Sequence, residues 1–131
     1  MSGSSDINVT PEFLAYSQDA LDELSSRFFA RKNRAVLQAE FANAANCDPA
    51  AALALFLHLE RHGLARVWAV AYEAASGLYW CRFPLSQGPP PLPAELDEAG
   101  GHVVISSRDQ LCYEISAVMK VSARLVAGPT R

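Results

Sequence analysis

The chain predicts an α+β fold in which three helices lead into a β-hairpin and a small β-rich C-terminal extension. Three observations carry this. Apolar residues recur at helical spacing between residues 11 and 62. β-branched and aromatic residues then take over in "LARVWAVAYE" and "LYWCRF", on either side of the turn sequence "AASG". A Pro- and Gly-dense stretch, "PLSQGPPPLPAELDEAGG", separates that hairpin from the strand-like "HVVISS".

Residues 1–10 are polar and read as a flexible N-terminus. Thr10, Pro11 and Glu12 supply a hydroxyl cap, a first-turn proline and an acid at the positive helix pole, so a helix is expected over 11–32. Its apolar face is Phe13, Leu14, Leu21, Leu24, Phe28 and Phe29. A second helix is expected over 33–45, with Val36, Leu37, Phe41, Ala44 and Ala45 as its stripe. "NCDPA" breaks it. Asp48 caps and Pro49 opens a third helix that runs to Gly63, where a left-handed stop is wanted. The hairpin pairs 64–73 with 78–83. Residues 84–101 form a connector too rich in Pro and Gly for regular structure over most of its length. Residues 102–131 form a β-rich extension packed on the same domain. In it, "YEISAVMKVSARL" reads as strand, because Ile, Val and Ser crowd it and no cap precedes it. The final "AGPTR" is expected to be loose.

The chain has 131 residues, half of them hydrophobic and 19% charged, which suits one compact domain. A formal net charge of −3 argues against a chain-wide basic footprint for a polyanion. No run approaches the roughly 18 apolar residues of a membrane span, and the polar first residues lack the apolar core of a secretory signal. Cys47, Cys81 and Cys112 are odd in number and widely spaced, as reduced thiols in a cytoplasmic protein would be. The abundance of alanine fits a bacterial protein from a GC-rich genome.

From Asn33 to Phe83 the pattern resembles the winged helix-turn-helix superfamily of bacterial transcription regulators. The resemblance rests on "DP" before the third helix, on Phe56, Leu59 and Leu64 at core spacing, on "LERHGLA", and on the hairpin in the position of the wing. It implies that residues 11–83 build a winged-helix domain whose third helix would lie in the major groove of DNA. The following segment bears a faint likeness to winged-helix proteins carrying a zinc ribbon. Cys81 stands alone in "WCRFP", however, so the metal-binding pairs are missing.

The third helix does not carry the chemistry of a DNA reader. With Ala52, Phe56 and Leu59 toward the core, Ala50, Ala51, Ala54, Leu55 and His58 turn outward, with Leu57 flanking them. Base edges want long polar donors and acceptors, and phosphates want cations. An Ala/Leu face suits an apolar protein surface instead. The expected working surface is therefore Ala51, Ala54, Leu55, Leu57 and His58, together with the aromatic wing residues Trp68, Tyr79 and Trp80. The competing expectation is that the chain's own C-terminal third covers that face.

The function this predicts is a non-catalytic adaptor or assembly subunit in a bacterial multicomponent system. It would dock another protein or a second copy of itself, and no cofactor is expected. The alternative is a small DNA-binding transcriptional regulator using Arg27, Arg31, Lys32, Arg34, Arg61 and Arg66, with Arg82 on the same rim. A more distant one is a metal-sensing switch: His58 and His62 stand one helical turn apart, and a third ligand would come from His102, Cys47, Glu60 or Asp97. Cys47, Cys81 and Cys112 lie in no nucleophile pattern. Gly100 and Gly101 precede a strand, not a phosphate-binding helix. Glu95 and Asp97 fall in the connector with nothing to fix them.

Overall fold

Alternation in "ARVWAVAYE" sets the architecture. The stretch is a strand in which Ala65, Val67, Ala69, Ala71 and Glu73 are buried, Arg66 is exposed, and Trp68, Val70 and Tyr72 are half-buried. The computed structural model describes residues 4–9, 16–98 and 101–127. Among them the chain is α+β, with three helices and eight strands in mixed sheets. In chain order these are β1 (Ser4–Val9), α1 (Gln18–Leu24), β2 (Ala35–Leu37), α2 (Gln38–Ala45), α3 (Pro49–Arg61) and β3 (Ala65–Glu73). There follow β4 (Tyr79–Pro84), β5 (Ala94–Glu98), β6 (Gly101–Ile105), β7 (Leu111–Met119) and β8 (Ser122–Ala127).

The main sheet has the order β2-β7-β3-β4, antiparallel throughout. β5 and β6 form a separate hairpin, and β1 pairs with β8 in parallel. The register puts Val36, Ala117, Val67, Met119 and Ala65 on one face of the sheet. That face meets Leu55, Phe56 and Leu59 of α3, Phe41 of α2 and Leu21 and Leu24 of α1 in one core. Phe41 is its hub, with ring centroids 5.3 Å from Phe28, 5.3 Å from Phe29 and 5.9 Å from Phe56. Further along the same face, Ala69, Ala71 and Phe83 pack with Trp80 and Leu85. The β5–β6 hairpin lies beyond them, its Leu96 and Ile105 against Leu111 and Trp80.

Local chemistry explains the ends of the helices. The Ser17 hydroxyl caps α1, accepting from the Ala20 N–H at 3.2 Å. After Leu24 the helix widens into one π turn, Ser25–Phe29. There the buried Ser25 hydroxyl donates to the Leu21 carbonyl and accepts from the Leu125 N–H, both at 2.7 Å, tying α1 to β8. α3 begins with Pro49 in its first turn and ends in a Schellman closure. The Leu64 N–H reaches the Leu59 carbonyl at 2.9 Å and the Gly63 N–H reaches Glu60 at 3.0 Å, with Gly63 at φ +73°. The Glu60 carboxylate then accepts from the Val67 N–H at 2.9 Å, clamping the turn into β3.

Several expectations are corrected. Residues 1–10 are not a flexible tail throughout, because Ser4–Val9 adds to β8 and Ile7 is buried. The first helix starts at Gln18 with Ser17 as its cap; Thr10 and residues 11–15 lie outside the described residues. Asn33 is left-handed (φ 67°) and 35–37 is a strand, so the second helix starts at Gln38 and Leu37 is exposed. Asp48 caps α3 by backbone position without a side-chain hydrogen bond. Within the 84–101 stretch, expected to lack regular structure over most of its length, Ala94–Glu98 forms β5. Most consequentially, "LCYEISAVM" is no appendage: it is β7, inserted between β2 and β3. The hairpin expected from 64–73 and 78–83 is observed as Ala65–Glu73 with Tyr79–Pro84, and the strand reading of the C-terminal third matches the structure.

Truncating Phe41 to Ala should cost about 3–5 kcal/mol. Ser25→Ala, which strands the Leu125 N–H, should cost about 1–3 kcal/mol. Urea unfolding followed by circular dichroism measures both, and losses below the experimental error would contradict this packing.

Candidate functional site

Leu55 settles how much of the Ala/Leu face is surface. It is completely buried, in the core formed with Ala117 and Met119 of β7, so the expectation that it turns outward is wrong. The reason is that α3 packs on two layers, α2 and the sheet, and needs an apolar face wide enough for both. Leu57 is half-buried against the same core, Ala51 and His58 are half-buried, and Ala54 remains exposed. Of the helix face that the sequence offered for docking, Leu55 alone is fully buried, taken into the core between α2 and the sheet.

The aromatic wing residues also separate. Trp80 lies at the bulge between β3 and β4 and packs inward against Ala69, Ala71 and Phe83 and against the β5–β6 hairpin. Trp68 falls on the opposite face of the sheet, the one away from the helices, by the alternation of β3. Helix α3 and Trp68 thus lie on opposite sides of the sheet and form no common surface.

The outer face is built in rows across the strands. Arg66, Val118 and Ala35 form one row, and Pro84, Trp68, Ser116 and Leu37 the next. Arg82, Val70 and Glu114 follow, and then Tyr79, Tyr72 and Cys112. The Arg82 and Arg66 guanidiniums lie 4.2 and 5.3 Å from the Trp68 ring centroid, a cation–π arrangement. Tyr79 is 58% exposed, and its ring stands edge-on to Tyr72 at 6.2 Å. The Tyr72 hydroxyl donates to the Glu114 carboxylate at 2.9 Å, and this bond to the neutral phenol pushes its pKa up. The β5–β6 hairpin borders this face only at its rim, where Glu95, Leu96, Asp97 and Glu98 share a depression with Tyr79.

The basic residues are dispersed. Arg27 pairs with Glu23 at 3.8 Å and lies over the Phe28 ring, and Arg34 lies over the same ring. Arg31 and Lys32 are exposed in the turn after the π segment, and Arg61 is exposed at the end of α3. Only Arg66, with Arg82, joins the aromatic face.

The His58 and His62 rings are 4.4 Å apart. No cluster of three or more metal-ligating side chains forms among the described residues. Burial first, then His62 and Arg61, pushes the His58 imidazole down from its ordinary value. Burial pushes the Cys47 and Cys81 thiols up, the wrong direction for a nucleophile. Glu95 and Asp97, expected to lie unfixed, are held on β5, where both reach His102 of β6, at 3.5 and 2.5 Å. The Asp97 hydrogen bond and charge hold His102 above its ordinary range.

A cleft that the sequence did not reveal lies on the inner face of the main sheet. It encloses about 380 Å³ over Ala69, Phe83 and Ile115, walled by Leu85, Pro89, Tyr113 and Arg108. No family model, curated protein or solved structure matches this chain. No helix among the described residues is long and apolar enough to cross a membrane.

A group held protonated by folding stabilises the fold below its unfolded pKa, about 6.5 for histidine, and that contribution fades as pH rises through the folded value. Amide protection in β5 and β6 should therefore fall across that upper range. An NMR titration should place His102 above its ordinary value in the native chain and lower it in Asp97→Asn. An unchanged midpoint in the variant would remove Asp97 as the cause.

Proposed function

We propose that this protein is a non-catalytic docking module with an elaborated winged-helix build. Its partner is another protein, recognised through the outer face of the main sheet. The observation that carries the reading is the one-sidedness of that sheet. Helices and hairpin pack on the inner face, while the outer face presents Trp68, Val70, Tyr72, Val118 and Leu37 with Tyr79 at the rim. Trp, Tyr and Arg concentrate binding energy in protein interfaces, and this face holds all three.

The winged-helix component of the proposal draws on strand order. A short strand after the first helix, two further helices and a returning strand pair give β2-β7-β3, with β7 entering between the other two. On this reading β4 and the β5–β6 hairpin are an insertion within the wing. The helix in the recognition position, α3, spends Leu55, Phe56 and Leu59 on the core and leaves Ala50, Ala54 and Arg61 exposed, a poor set for reading bases.

A second reading, nucleic acid on the same face, is favoured by the Arg66–Trp68–Arg82 stack, since guanidinium and aromatic planes also suit single-stranded bases.

Tyr79→Ala combined with Trp68→Ala should abolish recovery of whatever co-purifies with the native chain and leave the circular dichroism spectrum unchanged. Leu55→Glu should unfold the chain, unlike a surface change. Fluorescence polarisation with single-stranded and duplex DNA at about 50 mM salt should show no binding, and salt-sensitive binding there would favour the second reading.

A further inference from the structure

The lane beside β7 is only half filled. β2 pairs with β7 from Val118 to Ser116 and then turns into α2. The side of β7 that faces this lane is fixed by Met119, whose N–H donates to the Arg34 carbonyl at 3.0 Å and whose carbonyl accepts from Asn33. Alternation puts Tyr113 and Leu111 on the same side. The Leu111 N–H is taken by the Arg108 carbonyl. The Leu111 carbonyl and both backbone groups of Tyr113 therefore point into a lane that no strand of the described residues occupies.

Side chains shape the same lane. Tyr113 and Ile115 line the 380 Å³ cleft on one side and, on the other, a smaller depression of about 110 Å³ that runs to Leu37 and Ala39. The Tyr113 ring is 41% exposed and stands edge-on to Phe83 at 6.1 Å. Arg108 lines the cleft beside the start of β7 and makes no ion pair among the described residues. Glu114 projects from the opposite face, where it holds Tyr72.

We propose that this lane receives the C-terminal tail of a partner protein, added as a short strand antiparallel to β7. The inference rests on the docking reading and names one partner segment for it. Only an extended backbone offers one donor and one acceptor at the spacing that Tyr113, and then Leu111, require. The antiparallel direction continues the line of β2 and brings the tail's last residue to the Leu111 end. There its carboxylate meets Arg108, and its last apolar side chain lies beside Tyr113 at the Arg108 end of the cleft.

The test uses the full chain and a fluorescein-labelled hexapeptide alternating threonine and valine, ending in leucine with a free carboxylate. Polarisation should rise saturably. N-methylation of the two amides that face β7 should weaken binding by about tenfold or more. Arg108→Gln should weaken the free acid about tenfold and leave the C-terminal amide unchanged. Tyr113→Pro removes the outward N–H without touching the ladder to β3, and should also weaken binding. The peptide modifications keep the test independent of any variant's folding. Equal binding of the N-methylated peptide, or no polarisation change at millimolar peptide, overturns the strand-addition proposal. Partner recovery that depends on Trp68 while peptides fail would sink this inference and leave the docking reading standing. Peptide binding with partner recovery indifferent to Trp68 and Tyr79 would do the reverse.

Discussion

The ladder between β3 and β7 is the constraint on which the rest of the structure depends. It runs the full length of both strands, from Ala65 opposite Met119 to Glu73 opposite Leu111. A slip of one residue would exchange the two faces of the sheet. In the observed register, small residues (Ala65, Ala69, Ala71 and Ala117) point inward, letting α3 and the hairpin come close. Arg66, Trp68 and Tyr72 point outward. One pairing therefore decides both what is core and what is surface.

That ladder also closes the chain over a long distance. β7 follows β3 by nearly forty residues of insertion, and β8 reaches back to pair with β1. Contacts of this kind repay their closure entropy only after both ends are in place. The insertion is held by its own small core of Leu96, Ile105 and Leu111 and by the Gln110 side chain, which accepts from Ser106 and Ser107 and donates to the Val104 carbonyl. The hairpin is thus supported where it meets the first residue of β7. Trp80 serves both clusters and joins the hairpin to the sheet.

Local signals in the sequence located α3, the turn at Gly63 and the hairpin, because Pro49, Gly63 and the β-branched run act within a few residues of themselves. Partners distant in sequence were not legible. "SSDINV" has no strand pattern of its own and becomes β1 only because β8 accepts it. Leu37 sits at a helical spacing from Phe41 yet belongs to a strand, where it faces outward. Leu55 looked like surface because a helical wheel identifies an apolar stripe but not how many neighbours bury it. The same limit concealed the cleft, since Phe83, Arg108 and Tyr113 come together only when β7 enters the sheet. Of the expected site, Tyr79 is exposed and Trp68 half-buried on the outer face, whereas Leu55 and Trp80 pack inward.

Amide hydrogen exchange along β7, read by NMR on the intact chain, tests the central claim most directly. Cys112, Glu114, Ser116 and Val118 should exchange slowly through their bonds to β3, and Ala117 and Met119 slowly beside β2. Tyr113 should exchange fast on the open side. Uniformly fast exchange from Leu111 to Met119 would contradict β7 as the strand that joins the two halves of the sheet, and slow exchange at Tyr113 would contradict its open edge.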